Sequence, residues 1–129
     1  KHHWTVHGAE YRDLHLFYQE AYETASEGAD HIAERVQALG GVPTSRPADF
    51  QERSPVEPEP EDIYEVRTMM KNDEEMYGDI IETVREHIEL AENLGDYATS
   101  ELLREQLEDL EEFAHEIEHF LAEDSLTKW

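Results

Sequence analysis

Apolar residues return at mixed spacings of three and four along three stretches of this chain, the pattern of helices that bury one face. In the first stretch Leu14, Phe17, Tyr18, Ala21, Ala25, Ile32, Val36 and Leu39 succeed one another in this way, predicting a helix over Ala9–Leu39. Gly40-Gly41 ends it and Pro43 prevents a restart. The second runs over Glu61–Leu94 on Ile63, Val66, Met70, Tyr77, Ile80, Ile81, Val84 and Ile88, and Gly95-Asp96 breaks it. Thr99 or Ser100 then caps a final helix, carried to about Asp124 by Leu102, Leu103, Leu107, Leu110, Phe113, Ile117 and Phe120. Ahead of all three, His2–Val6 reads as the last turn of a further helix closed by Gly8. The chain opens at Lys1 with no methionine, directly on His2, His3, Trp4 and His7, so it is expected to begin partway through that first helix.

The connections order these elements. Val42–Pro60 is rich in Pro, Ser and Glu and reads as a crossover, with a short helix over Arg46–Arg53 that holds Pro47 in its first turn. Short connections join antiparallel neighbours, whereas a long one must travel the length of a bundle. No alternating strand pattern and no internal repeat is present. The expectation is an all-α single domain over residues 1–129: a four-helix bundle with a long crossover, 42–60, between helices two and three.

Charge changes the picture next. Thirty-three acidic residues face seven arginines and three lysines, for a net charge of −23. Such a surface repels itself until the Debye length shrinks to about 3 Å near 1 M salt. The regular helical spacing argues against an acidic disordered chain, so the composition points to a halophilic protein of a very salty cytoplasm. Nucleic acid is a poor electrostatic match without clustered Lys and Arg. No cysteine is present, which excludes disulfides and thiolate metal sites. No run of eighteen apolar residues and no signal-peptide pattern occurs, and an intracellular, cytoplasmic location is expected.

The candidate chemistry lies on the first long helix. His15 and Gln19 are four residues apart, as are Asp30 and Glu34, so each pair shares a helix face. The pairs are fifteen residues apart, about 22 Å along a helix axis, too far to hold one metal together. Yet they are placed symmetrically about a point between Thr24 and Ala25. Two copies crossing antiparallel there would set His15 against Glu34 of the partner subunit and Gln19 against its Asp30, making two equivalent shared sites per dimer. Ala21, Thr24, Ala25, Ser26, Gly28 and Ala29 are small enough to admit a close crossing. His3 would join His15 if the chain reverses at Gly8. Histidine with carboxylates and no sulfur suits iron, zinc or manganese without choosing among them.

The stretch Lys1-His2-His3-Trp4-Thr5-Val6-His7-Gly8, then Leu14-His15, Asp30-His31-Ile32-Ala33-Glu34-Arg35 and Leu39-Gly40-Gly41, resembles the signature of the Dps proteins, the miniferritins. The likeness extends over the whole chain and implies a ferritin-like fold. It further implies a ferroxidase centre between two-fold-related subunits, with His3 and His15 from one chain and Asp30 and Glu34 from the other. Trp4 takes the place of the family's tryptophan beside that centre. Gln19 departs from the aspartate that many members carry; an amide oxygen can ligate but brings no charge. The implied function is iron storage and detoxification in a dodecameric shell built from two-fold dimers. Fe(II) is oxidised there, with hydrogen peroxide as substrate, two irons per centre, and DNA is protected from oxidative damage. Family placement is cytoplasmic, with association with the nucleoid.

Other features carry two readings. Glu20, Glu23 and Glu27 form either a cavity-facing nucleation cluster or a solvated face. By family analogy Asp96, Glu101 and Glu105 line a three-fold pore that focuses cations. His87, His115 and His119 fall outside the family signature and are either extra iron ligands or ordinary surface residues. His115-Glu116-Ile117-Glu118-His119 formally matches the zinc-peptidase pattern, but few residues follow to supply a third ligand. Glu112-x-x-His115 and Glu116-x-x-His119 half-equip an intrasubunit di-iron site. A DNA-compacting protein without oxidase activity is the remaining alternative; one lysine, Lys128, near the C-terminus and the acidic surface make direct DNA binding unfavourable.

Overall fold

Gly8 and Gly95 take left-handed backbone conformations, φ 105° and 75°, and the chain reverses at both. The computed structural model describes residues 1–122. Between and around these turns run α1 (His2–Thr5), α2 (Tyr11–Ala38), α3 (Pro47–Arg53), α4 (Val66–Asn93) and α5 (Tyr97–Leu121). All regular structure among the described residues is helical, and none of these helices is long and apolar enough to cross a membrane.

Most boundaries fall within one residue of the sequence pattern, and the larger differences have local reasons. The second long helix starts at Val66 rather than Glu61. The Asp62 carboxylate accepts the Ile63 N–H at 2.8 Å, and the Tyr64 hydroxyl donates to the Pro60 carbonyl at 2.8 Å, so these residues satisfy one another outside a helix. The final helix is capped by Asp96, whose side chain accepts the Thr99 N–H at 3.1 Å, and not by Thr99 or Ser100. Its expected end near Asp124 lies outside the described residues. The first long helix begins at Tyr11 rather than Ala9, after the turn at Gly8.

α4 and α5 form an antiparallel hairpin closed by Leu94-Gly95-Asp96, and α2 packs against it. Leu14, Phe17, Tyr18 and Ala21 of α2 are buried with Met69, Met70 and Tyr77 of α4 and Phe113 and Ile117 of α5. Phe17 meets Phe113 and Phe120 edge-on at centroid distances of 5.8 and 5.5 Å. The buried stripe of α2 occupies only its first half. Ile32 and Leu39, expected in the core, are 38% and 58% exposed, and so is Ile63 at 66%.

Candidate metal centre

The first residues of the chain are held by a polar network that the sequence pattern did not reveal. Asp73 of α4 is buried, yet it accepts from the Tyr18 hydroxyl at 2.8 Å and sits 2.8 Å from His2 Nδ1. The other ring nitrogen of His2 meets Glu59 of the crossover, which also accepts from Lys1 Nζ and Asn72 Nδ2, both at 2.8 Å. Flanked by two carboxylates, the ring donates through both nitrogens only as the imidazolium. Burial works against that charge, but the bonds to Asp73 and Glu59 outweigh it and raise the His2 pKa. Burial and the Asp73 charge push Tyr18 up and Tyr77 up to about 12.

Glu59 shifts the other way: burial would raise it, but bonds from Lys1, Asn72 and His2 bring it down to about 2. A depressed carboxylate stabilises the fold above its unfolded pKa and loses that contribution as pH falls from about 4.5 towards 2. Glu59→Gln is therefore expected to lower denaturant resistance at pH 6 and to match the parent protein only below about pH 2, read as unfolding midpoints across that range.

Anchored in this way, α1 sets His3 against His15. Their rings stack with centroids 4.0 Å apart and planes inclined by 22°, and Tyr11 stacks on the far side of His15 at 4.9 Å. His15 Nδ1 lies 2.9 Å from the His3 backbone carbonyl. A carbonyl only accepts, so Nδ1 carries the proton and Nε2 keeps a free lone pair, the state a metal ligand requires. Both ring nitrogens of His3 are buried without a hydrogen-bond partner. Native proteins rarely leave such groups unpaired, at about 1–3 kcal/mol each, and a bound cation would satisfy one of them.

Gln19 is one turn further on. Its amide N–H donates to Glu23 at 3.2 Å, which leaves its carbonyl oxygen as the free end. Asp30 and Glu34 stand exposed on the same helix, and α2 runs unbroken between the two groups. The chain therefore brings His3 and His15 together, with Gln19 one turn along α2 from His15, and keeps Asp30 and Glu34 away from them. Among the described residues, no three His, Asp or Glu side chains of one chain form a cluster able to hold a metal. Arg35, beside Glu34, is fixed by bonds of 2.9 Å to the Thr99 hydroxyl and to the Asp96 carboxylate. It ties the far end of α2 to the α4–α5 turn and so positions the acidic pair.

A ferritin-like domain model matches residues 1–127. The DNA protection during starvation protein of Halobacterium salinarum is 61% identical over 126 residues, covering 98% of this chain and 69% of the relative. A nutrient stress-induced DNA-binding protein of Nostoc is 39% identical over 127 residues, 98% of this chain and 69% of the relative. This chain belongs to the Dps family. The crystal structure of an archaeal Dps homologue from Halobacterium salinarum superposes with a TM-score of 0.92 at 61% identity, over 97% of this chain and 69% of that one. Dps from Thermosynechococcus elongatus gives 0.92 at 27% identity, over 96% of this chain and 78% of that one.

The remaining candidates of this Dps chain sort by exposure. Trp4 is 82% exposed beside the histidine pair. Of the small residues expected to admit a twin helix, Ala21 is buried in the core and Gly28 lies beneath Gln106, which donates to its carbonyl at 3.0 Å. Helical periodicity turns these two inward, leaving Ser26 and Ala29 exposed outside. Glu20, Glu23 and Glu27 do not converge: Glu20 lines the α2–α5 groove, Glu23 accepts from Gln19, and Glu27 is exposed. Asp96 is occupied as a helix cap and as the partner of Arg35, whereas Glu101 and Glu105 stand exposed one turn apart.

Proposed function

We propose that this protein oxidises Fe(II) at a centre shared by two subunits. His3, His15 and Gln19 of one chain face Asp30 and Glu34 of the partner subunit, two irons per centre. The observation that carries this reading is the stacked histidine pair, with its prepared Nε2 and two orphaned nitrogens, on a helix whose acidic pair lies too far away to complete it. Exposure of the outer half of α2, and of Trp4 next to the pair, suits a surface that a second copy covers. Both irons enter as substrate. Each gives one electron to a single hydrogen peroxide, whose O–O bond breaks and which leaves as water after taking up two protons. Anionic oxygen favours the harder Fe(III), so the partner's carboxylates drive the oxidation.

The same reading extends to the assembly. The shell is a dodecamer of two-fold dimers holding ferric mineral, with the exposed Glu101 and Glu105 at a three-fold entry. It is cytoplasmic and works near the nucleoid, protecting DNA by removing iron and peroxide, and the charge of −23 over these residues disfavours direct contact between this region and nucleic acid.

Stopped-flow absorbance of Fe(III) formation after peroxide addition tests the centre. His3→Ala, His15→Ala and Glu34→Ala are each expected to lose more than the roughly 10–100-fold that follows from disturbing a ligand's outer support. Full activity in homogeneous His15→Ala and Glu34→Ala proteins would defeat the assignment.

A further inference from the structure

We propose that His115 and His119 form a second metal site, a two-imidazole clip on the exposed face of α5 that takes Cu(II) or Zn(II) in preference to Fe(II). The two residues are one turn apart on α5 and both are exposed. Their Nε2 atoms lie 3.1 Å apart, with ring centroids at 4.5 Å and planes inclined by 82°. For metal–nitrogen bonds of about 2.0–2.1 Å, that separation subtends about 95–102° at a common ion, between the square-planar and tetrahedral angles. The separation alone already suits a chelate, and rotation of the two exposed rings brings their lone pairs onto a shared ion.

The nitrogens are already paired: one Nε2–H donates to the lone pair of the other, and a cation entering the clip takes the place of that hydrogen as the donating ring shifts to its Nδ1–H tautomer. The Nδ1 of His115 lies 3.9 Å from a Glu118 carboxylate oxygen, which adds negative charge beside the ring without bonding to it. His119 also borders a groove of about 340 Å³ lined by Asp13, Glu20 and Glu116, which raises the local cation concentration.

Selectivity follows from the donors. Two neutral imidazoles offer no anionic oxygen to reward iron, and the divalent series places Cu(II) and Zn(II) above Fe(II) on such a site. The chain has no cysteine to compete for either ion. Among the described residues no third side chain joins the pair, so water completes the coordination and the peptidase reading of the same motif loses its third ligand.

The test uses the assembled protein carrying His15→Ala and Glu34→Ala, which removes the shared centre. Calorimetric titration with ZnCl2, CuSO4 and, without oxygen, FeSO4 is expected to show a Zn(II) or Cu(II) equivalent per chain and weaker Fe(II) uptake. Adding His119→Ala is expected to weaken Zn(II) and Cu(II) binding by more than about tenfold and to remove the two-nitrogen hyperfine pattern from the Cu(II) electron spin resonance spectrum. Binding unchanged by His119→Ala overturns the proposal, as does Fe(II) held there as tightly as Zn(II). So does a His119→Ala single variant that loses peroxide-driven iron oxidation as severely as His15→Ala.

Discussion

Assemblies formed from equal amounts of His15→Ala and Glu34→Ala chains are expected to regain about a quarter of the wild-type centres, although each variant alone is inactive. In a mixed dimer both lesions fall in one of the two shared centres, and the other receives intact ligands from both chains. Random pairing makes half of the dimers mixed, and half of their centres whole. A centre contained within one chain permits no such recovery, because every chain carries a lesion. The measurement is the rate of peroxide-driven Fe(II) oxidation after unfolding and refolding the mixture. Recovery no greater than in separately refolded controls would place the chemistry inside a single subunit.

Dilution of salt is expected to be the other large effect. At −23 per chain, repulsion is screened within about 3 Å at 1 M salt but reaches about 30 Å at 0.01 M. The compensating pairs do little: Arg85–Glu111 and Arg104–Glu92 are solvent-exposed, and such pairs contribute about 0–1 kcal/mol. Each kcal/mol lost to this repulsion lowers the melting temperature of a chain this long by roughly 3–5 °C. Scanning calorimetry and light scattering between 2 M and 0.01 M KCl should therefore show falling Tm and dissociation. An unchanged melting curve and particle size would remove the halophilic reading.

The long helices and their order were readable because burial imposes a period on the sequence. Leu14, Phe17, Tyr18 and Ala21 announce the inner face of α2, and Phe113 and Ile117 that of α5. The stacking of His3 on His15 was readable because Gly8 signals a reversal. What stayed hidden depends on contacts between distant residues. Nothing near His2 indicates that Asp73 and Glu59 will grip it, and nothing near Arg35 points to Asp96. The start of α4 was misplaced because apolar Ile63 continues the pattern while Asp62 and Tyr64 satisfy the backbone another way. Charge hid the rest: in a chain with thirty-three acids, spacing alone cannot separate a ligand from a solvated glutamate.

The acceptor that settles the tautomer of His15 belongs to the main chain of residue 3 and not to its side chain. Any amino acid placed there keeps that oxygen, so replacing the side chain at position 3 removes the stacked ring but leaves the main-chain acceptor of His15 Nδ1 in place. A swap at position 3 thus becomes a way to vary the chemistry beside His15 while the frame that fixes its tautomer stays the same.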